Sequence, residues 1–321
     1  MLRYIFQRMV AAAVTFLVII VVVFFVVRNM PGTIFQPNPE TMSPRVIELI
    51  MAKYHLDKSL PEQFMYFLAD YIRLDFGHSF LVRPSMPVYD IVLERLPITI
   101  QLNIFSSLGV ILPFGLLFGI TLALKKDSFY DHFGSTWIMI FISAPSFVIA
   151  ALMQYTLAFR LGIFPIILHP ERALSWTKFY SMILPIMALS FGGIASMARM
   201  LRAELSETLT SDFMLLAQAK GLTYNQSIWR HALRNACVPM ASTFLFLFIG
   251  VMGGSIVIEN IFSVPGMGTI MVAAIRSNDH PLTLAIVYLY TLIGLGMAIL
   301  ADLSFGIVDP RIRMGGRKGA E

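Results

Sequence analysis

The sequence has few charged residues for its length. Charged side chains make up 13% of the 321 residues, whereas hydrophobic side chains make up 57%. Soluble domains carry about 25% charged residues, so this composition indicates a chain that folds in a lipid bilayer. The formal net charge of +5 would also suit a nucleic-acid binder. The positions of the basic residues, described below, favour a membrane surface and argue against nucleic acid as a partner.

Motifs for catalysis and metal binding are also missing. Cys237 is the one cysteine, so no internal disulfide can form, and the six histidines lack the spacing of a metal site. The chain has no Gly-x-x-x-x-Gly-Lys-Ser/Thr phosphate loop, no nucleophile elbow and no cluster of catalytic carboxylates. We therefore expect no catalytic residue, no metal site and no enzymatic activity of the chain by itself.

Long uncharged runs are abundant. A helix needs about 20 apolar residues to cross the hydrocarbon core of a bilayer. Six uncharged windows provide them: Met9–Val27, Leu96–Leu124, Phe133–Phe159, Phe179–Ala198, Asn235–Ile258 and Pro281–Ala301. A large soluble protein could bury some of these, but six in one short chain predict six transmembrane helices. The first window is longer than a signal-peptide core and lacks a cleavage site, so we expect it to be retained.

The distribution of Lys and Arg predicts the orientation, because basic residues are enriched in cytoplasmic loops. If the N-terminus is cytoplasmic, the inside segments hold thirteen basic residues: Arg3, Arg8, Lys125, Lys126, Arg199, Arg202, Lys220, Arg230, Arg234, Arg311, Arg313, Arg317 and Lys318. The short outside loops then hold four: Arg160, Arg172, Lys178 and Arg276. We therefore expect both termini in the cytoplasm and a basic C-terminal tail at the membrane surface.

The long connector after the first span, outside in this topology, carries two helix starts. Ser43-Pro44 predicts an N-cap followed by proline, and Ser59-Leu60-Pro61-Glu62 predicts a capping box. The second helix has an apolar face, with Gly77 shortly after its end: Phe64, Phe67, Leu68, Tyr71 and Ile72. Such helices pack on the bilayer or on the transmembrane bundle, and a partner-binding role is the alternative.

The second long connector, about residues 199–234, is cytoplasmic in this topology. Ser211 can cap a short helix with Asp212 in its first turn, Lys220 in its last turn and Gly221 at its left-handed stop. Thr223-Tyr224-Asn225-Gln226 predicts a second capping box, followed by a helix with a continuous apolar face of Ile228, Trp229, Ala232 and Leu233. This hairpin has no core of its own. It must pack on the membrane, on its own bundle or on another protein.

Four groups of residues lie in order along the chain. They are Leu93-Glu94-Arg95-Leu96-Pro97 with Thr99; Ala217-Gln218-Ala219-Lys220-Gly221-Leu222 with His231-Ala232-Leu233-Arg234-Asn235-Ala236 and Pro239; Glu259-Asn260-Ile261-Phe262 with Pro265-Gly266-Met267-Gly268; and Asp309-Pro310-Arg311-Ile312-Arg313. Together they resemble the permeases of binding-protein-dependent ABC importers, in particular the oligopeptide and dipeptide branch. Leu215 and Leu216 stand where the broader superfamily loop has Glu and Ala.

The resemblance implies an all-α integral membrane protein with the type I ABC importer permease fold. This fold comprises six transmembrane helices, a cytoplasmic coupling-helix hairpin and an extracytoplasmic helical segment after the first span. Residues 1–95 would hold the first span and the extracytoplasmic segment. Residues 96–306 would form the permease core with the coupling loop at about 199–234, and residues 307–321 a basic cytoplasmic tail.

The resemblance also implies partners and a location. The partners would be a second homologous permease, two ABC ATPase subunits, an extracytoplasmic substrate-binding lipoprotein and a peptide substrate, foremost an oligopeptide. The chain itself would bind no cofactor, since ATP and Mg would be used by the ATPases, and it would lie in the bacterial cytoplasmic (inner) membrane. The ATPase-coupling residues would be Asp212, Ala217, Ala219, Lys220, Gly221 and Leu222.

Polar residues inside the predicted spans are candidates for the translocation path, because they are costly when they face lipid. They are Gln101, Asn103, Ser143, Ser146 and Gln154. Hydrogen bonding to neighbouring helices is an equally good explanation for each of them.

Other residues indicate close helix packing. Gly115 with Gly119, and Gly250 with Gly254, form small-xxx-small pairs, and Pro113, Pro145 and Pro185 lie inside spans as kinks or hinges.

Two competing functions fit the sequence less well. A secondary transporter or channel would need intramembrane charge and internal repeats. A membrane scaffold or sensor would not need the cytoplasmic hairpin together with a polar path.

Overall fold

The computed structural model describes residues 2–30, 44–169, 174–240, 244, 247 and 255–308. In these ranges the regular structure is helical, apart from an isolated bridge between His78 and Pro87. The helices are α1 (Leu2–Arg28), α2 (Pro44–Lys53), α3 (Leu60–Ile72), α4 (Val88–Leu124), α5 (Phe129–Ser143), α6 (Ser146–Arg160), α7 (Trp176–Leu209), α8 (Asp212–Ala219), α9 (residues 224–236), α10 (Ile256–Ile261), α11 (Met267–Arg276) and α12 (His280–Val308).

The chain forms two compact units. The first comprises residues 1–99 and 265–299, and the second comprises residues 100–264 and 300–321. The linear division at residues 95 and 306 stays a prediction. Residues 309–321 of the predicted tail, with the motif that begins at Asp309, lie outside the described residues.

Within the part of the chain that the structure describes, four helices are long and apolar enough to cross a bilayer: Ile5–Arg28, Val88–Leu124, Trp176–Leu209 and His280–Leu300. They contain or overlap the first, second, fourth and sixth predicted windows. Half of the fifth window, Asn235–Ile258, falls outside the described residues, as does the Gly250–Gly254 pair. The number of six spans and the cytoplasmic position of both termini therefore stay predictions.

The third predicted window is not one straight helix. It consists of α5 and α6, which are bent by 98° at the break between Ser143 and Ser146. Pro145 disfavours the helical conformation of the residue before it, and Ala144 accordingly has an extended ψ of 128°. The uncharged window predicts the apolar length, but proline interrupts the helix within it.

An aromatic core holds the first unit together. Phe24 of α1 is fully buried, and its ring centroid lies 5.3 Å from that of Phe64 and 5.0 Å from that of Phe67 on α3. Tyr71, one turn beyond Phe67, lies 5.2 Å from the ring of Tyr288 on α12. The apolar face of α3 therefore packs on the helices of its own unit.

The ends of α3 agree only in part with the sequence prediction. The Ser59 backbone N–H donates to Glu62 Oε2 at 3.0 Å and the Ser59 hydroxyl donates to the same oxygen at 2.8 Å, which holds the pKa of Glu62 below its ordinary value. Ile72, the last residue of the helix, is 69% exposed and does not join the buried side of α3. Gly77 has a left-handed φ of +68° in the following loop. Ser43, the other predicted cap, lies outside the described residues.

A buried carboxylate fixes the loop after α3. Asp279, directly before α12, is completely buried. Its Oδ2 accepts from the Ser79 hydroxyl at 2.5 Å and from the backbone N–H groups of Phe80, Leu81 and Val82 at 3.1, 3.0 and 3.0 Å. Hydrogen bonds to an ionised acceptor are stronger than neutral ones. This cluster, which we call the Asp279 anchor, fastens the loop to the start of α12.

Two of the family-like motifs meet in the first unit. The Thr99 hydroxyl is fully buried and accepts a hydrogen bond from the backbone N–H of Met267 at 2.8 Å. This bond satisfies a free donor at the start of α11. Glu94 of the same motif forms a bidentate ion pair with Arg83, with distances of 2.6 and 3.4 Å. The spacing of these motifs thus reflects contacts that hold the loop and α11 in place.

Close packing of α4 on α7 builds the second unit. A Cβ added to Gly115 would lie 2.9 Å from Met197 Cβ, and one added to Gly119 would lie 2.9 Å from the Ala198 carbonyl oxygen and from Leu201 Cβ. The predicted small-xxx-small pair is therefore a helix-packing site.

Two of the three prolines inside predicted spans do not interrupt their helices. Pro113 follows a π-helical turn at Phe105–Ile111 within α4, and Pro185 lies inside the 34-residue helix α7.

Candidate functional site

The connector between α7 and α9 folds as the sequence predicts, with a short helix and a glycine corner. Helix α8 begins at Asp212 and ends at Ala219. The Gly221 N–H donates to the Gln218 carbonyl at 2.9 Å, and the Leu222 N–H donates to the Ala217 carbonyl at 3.3 Å. This pair of bonds is the Schellman pattern that follows a helix end.

Gly221 supplies the left-handed residue of this corner. Its φ is +89°, and a Cβ built on it would meet no atom within 4 Å. The requirement for glycine therefore comes from backbone conformation and not from lack of space. Ser211 precedes α8 with an extended backbone, but its hydroxyl donates to the Thr208 carbonyl at 2.5 Å and caps no N–H of α8. The prediction of a side-chain cap by Ser211 is wrong in that respect.

The second capping box is present. The Thr223 N–H donates to Gln226 Oε1 at 3.1 Å, and the Gln226 N–H donates to Thr223 Oγ1 at 3.3 Å. Helix α9 then continues through a π-helical turn at Ile228–Ala232. This extra residue in the turn rotates the following side chains. Trp229 is 61% exposed, so its assignment to a continuous apolar face is wrong.

The hairpin of α8 and α9, which we call the coupling hairpin, packs on the last turns of α7. Met214 and Ala217 of α8 are buried, and Met214 belongs to a cluster with residues of α7 and α9: Met197, Leu201, Leu205, Ile228, Ala232 and Ala236. Of the three packing options that the sequence left open, the structure shows the hairpin on its own bundle.

The opposite face of α8 is apolar and exposed. Phe213 is 40% exposed, Leu215 is 66% exposed and Leu216 is 56% exposed. These three residues form the outer face of α8. Among the predicted coupling residues, Asp212, Ala219, Lys220 and Gly221 are exposed, Leu222 is half-buried and Ala217 lies on the inner side. Leu215 and Leu216, noted in the sequence only as departures, are the largest exposed apolar groups on the helix.

An ion pair fixes the end of α7 just before the hairpin. Arg202 Nε lies 2.5 Å from Asp131 Oδ1 and its Nη2 lies 2.6 Å from Asp131 Oδ2, so the pair is bidentate. The Asp131 side chain is 2% exposed and that of Arg202 is 29% exposed. The Asp127 N–H also donates to Asp131 Oδ2 at 3.0 Å. Sequence reasoning missed this pair, because its partners lie 71 residues apart.

The five predicted path residues have different surroundings. Gln101 accepts from Lys178 Nζ at 3.3 Å, and Asn103 is buried. Ser143 and Ser146 are exposed on either side of the α5–α6 break. Gln154 Nε2 donates to the carbonyls of Ile166 at 3.1 Å and Ile261 at 2.8 Å. For Gln154, therefore, the structure shows the alternative of bonding within the bundle, and the path assignments stay predictions.

Lys178 carries a full charge and is buried inside the second unit, although the sequence alone places it in an outside loop. It lies in the first turn of α7 and is 1% exposed, with Gln101 as a hydrogen-bond partner. Farther along α7, the Ser190 hydroxyl lies 2.9 Å from that of Ser106 on α4. One sequence feature could have placed Lys178 in a helix, because it follows the N-cap residue Ser175 by three positions. The Ser175 hydroxyl accepts from the Lys178 N–H at 3.2 Å.

Comparison with known proteins identifies the family. Residues 115–314 match the description of binding-protein-dependent transport system inner membrane components, and residues 1–103 match the N-terminal region of such membrane components. A dipeptide transport system permease protein, DppB, from Bacillus subtilis is 35% identical over 98% of this chain and 99% of its own length. An oligopeptide transport system permease protein, OppB, from Escherichia coli K12 is 35% identical over 98% of this chain and 100% of its own length.

Solved structures of transporters share the fold. A crystal structure of an amino acid ABC transporter with histidines has a TM-score of 0.51 and 16% identity, and it covers 68% of this chain and 94% of its own. An inward-facing structure of the MetNI methionine ABC transporter has a TM-score of 0.55 and 15% identity, and it covers 69% of this chain and 97% of its own.

These likenesses confirm the predicted type I permease fold. Members of the matched family are the membrane components of their transport systems, and they have no ATPase motif. The chain is a multi-pass membrane protein that belongs to the family of binding-protein-dependent transport system inner membrane components.

Proposed function

We propose that this chain is a permease subunit of an ATP-driven importer of peptides, foremost oligopeptides, in the bacterial cytoplasmic membrane. It would form half of the translocation path beside a second homologous permease. An extracytoplasmic binding lipoprotein would deliver the peptide. The support for a peptide substrate is that relatives named as dipeptide and oligopeptide permeases match 98% of the chain.

The proposal of ATPase coupling rests on the exposed outer face of α8. Met214 and Ala217 on the inner side of the helix are already buried, whereas Leu215 and Leu216 remain exposed. A helix with an apolar outer face fits a groove on a partner protein. We assign that groove to an ABC ATPase, where ATP and Mg would be bound. Closure of two ATPases would move α8, and the packing of Met214 on α7 would carry the movement into the spans.

The placement of charge supports the orientation with both termini inside. Lys125, Lys126 and the basic residues of the coupling hairpin then lie on one side of the membrane, as the positive-inside rule requires. The extracytoplasmic segment would contain α2, α3 and the Asp279 anchor. It would lie on the side from which the binding protein approaches.

A dipeptide is the second candidate substrate. DppB from Lactococcus lactis is 36% identical to this chain and OppB from Escherichia coli K12 is 35% identical, so identity favours neither class. Uptake of labelled peptides of two to five residues by the reconstituted importer, with its binding protein, distinguishes the two. Uptake that rises for the longer peptides is expected. Uptake restricted to dipeptides would replace the oligopeptide assignment.

Substitution of Gly221 tests the coupling role. Gly221→Val places a β-branched residue at φ +89°, which costs about 1 kcal/mol or more and distorts the corner after α8. We expect the variant to insert into membranes normally, to lose association with the ATPases and to lose uptake. The external binding protein should still bind.

Gly162→Val is the matched control. Gly162 also has a left-handed φ, +62°, and open space around its Cβ position, but it lies after α6 and not beside α8. It should strain the backbone comparably and leave ATPase association intact. Recovery of the ATPases with the Gly221→Val chain at the normal yield, together with normal uptake, would overturn the coupling assignment.

A further inference from the structure

A groove of about 500 Å³ runs between α4, α5 and α7 in the second unit. We call it the aromatic groove, and it is lined by Phe114, Leu117, Phe118, Thr121, Tyr130, Trp137, Ile138, Phe141, Phe191, Ile194 and Ala195. Its walls are only partly covered by the chain itself. Phe114 is 56% exposed, Leu117 is 59% exposed and Trp137 is 42% exposed.

Stacked rings make the walls smooth and firm. The ring centroids of Trp137 and Phe141 lie 5.5 Å apart, and those of Phe141 and Phe191 lie 4.8 Å apart with nearly parallel planes. Membrane helices pack closely on one another through small residues such as glycine and alanine. In this groove Ala195 is the one alanine, and the lining contains no glycine. The walls therefore suit a flexible hydrocarbon chain better than another helix.

The length of the groove matches one leaflet. From Tyr130 to Phe141 the helix rises by about 16 Å, at about 1.5 Å per residue. The hydrocarbon core of a bilayer is about 30 Å thick, so the groove covers roughly half of it. A single acyl chain that enters at the membrane surface would fill it.

Positive charge gathers at one end of the groove. Lys125 Nζ lies 4.7 Å from the ring centroid of Tyr130, which lines the groove, and the Thr121 hydroxyl lies 3.5 Å from the Tyr130 hydroxyl. Lys126 is the next residue and is also exposed. Arg199 lies one turn beyond Ala195 on α7 and is exposed. A phosphate held there would meet several cations.

Acidic groups near this end offset the charge only in part. Asp127 lies in the same turn as the two lysines, and its N–H donates to Asp131. Asp131 is already paired with Arg202. Lys125, Lys126 and Arg199 thus face one carboxylate that has no such pairing, so the surplus is positive.

We propose that the aromatic groove binds an anionic phospholipid, with an acyl chain along Trp137 and Phe141 and its phosphate beside Lys125 and Lys126. Basic residues near the membrane surface contribute about 1 kcal/mol each toward anionic lipids, which is about fivefold in binding. The proposal depends on the membrane-spanning nature of the chain and not on its substrate or on the coupling role of α8.

Photocrosslinking in the assembled importer tests the proposal. A benzophenone amino acid replaces Trp137, and the importer is placed in nanodiscs of equal parts phosphatidylcholine and phosphatidylglycerol. After irradiation, mass spectrometry identifies what is attached. We expect phosphatidylglycerol adducts to exceed phosphatidylcholine adducts about 25-fold, which is about fivefold for each of the two lysines. The Lys125→Gln/Lys126→Gln variant should lose most of this preference, with Arg199 left as the remaining cation at that end of the groove.

The same amino acid at Met139 is the matched control. Met139 lies on α5, is 59% exposed and is not part of the groove lining, so it should take both lipids equally. Equal amounts at Trp137 would overturn the proposal. An adduct to the second permease would show that a protein helix covers the groove, and it would also overturn the proposal. Normal recovery of the partner subunits with the double lysine variant shows that its change is not a folding defect.

Discussion

Two amphipathic helices from long connectors, α3 and α8, end in different situations. Helix α3 buries Phe67 and Tyr71 in an aromatic core, and the loop that follows it is fixed by the Asp279 anchor. Helix α8 buries only Met214 and Ala217, and its outer face stays apolar and open. Both helices also expose apolar side chains, Met65 and Ile72 on α3 and Leu215 and Leu216 on α8. Exposure alone therefore does not distinguish a surface that awaits a partner, and the anchored loop after α3 is the difference between the two connectors.

The largest effect should come from charging that open face. Leu215→Asp/Leu216→Asp removes two exposed apolar groups whose burial would contribute about 4 kcal/mol in total. We expect ATPase binding to weaken about 1000-fold, measured by co-purification and by titration of the ATPase onto nanodisc-bound permease.

Met65→Asp sharpens the comparison, because Met65 is 64% exposed on α3 and Leu215 is 66% exposed on α8. The Met65 variant should bind the ATPase normally. Equal loss of ATPase binding in the α3 and α8 variants would show that the exposed apolar residues of α8 are not the ATPase-binding surface.

A smaller effect is expected at the Asp279 anchor. Asp279→Ala leaves the buried N–H groups of the loop without an acceptor, at a cost of about 3 kcal/mol. Chymotrypsin should then cleave after Phe80, in this loop, about 100-fold faster. Asp279→Asn keeps one acceptor oxygen and should cost about 1 kcal/mol. The same cleavage rate in both variants would contradict the role of the carboxylate oxygen that accepts these bonds.

The smallest effect concerns the ion pair between Arg202 and Asp131, and the two partners should contribute unequally to stability. Arg202→Gln leaves the Asp131 carboxylate, 2% exposed, without its countercharge. Asp131→Asn leaves a guanidinium that is 29% exposed and can be hydrated. We expect losses of about 2 and about 1 kcal/mol in unfolding free energy, respectively, because water screens the second case.

Thermal unfolding in detergent provides the measurement. Cys237 is half-buried in the same unit and is the one cysteine of the chain, so a thiol-reactive dye reports its exposure. The reverse order of the two losses would show that the burial of Asp131 does not govern the stability of the pair.

Local chemistry could be predicted from the sequence, and distant pairing could not. The Thr223–Gln226 capping box and the left-handed Gly221 depend on neighbours within five residues, and both are present. Uncharged windows predict where spans lie because the bilayer sets one length for all of them. Pro145 predicts a kink in the third window, but the size of the 98° break could not be predicted because the window is apolar on both sides of the proline.

Residues with distant partners gave no such signal. Asp279 lies 200 residues from Ser79, and Thr99 lies 168 residues from Met267. Resemblance to a family highlighted Thr99 and the residues around Met267 but could not say that they touch. Lys178 looks like a loop charge in the sequence, because its burial depends on how α7 packs against Gln101.

The first unit is assembled from two segments that flank a long insertion, and this sets an order of events during synthesis. Its parts, residues 1–99 and 265–299, are separated by 165 residues of the other unit. At about 5 to 20 residues per second, the ribosome needs about 10 to 30 s to make that stretch. Throughout this interval Thr99 lacks its Met267 partner and the loop after α3 lacks Asp279. The nascent chain must therefore wait in the membrane with an unfinished first unit, exposed to proteases and to chaperones.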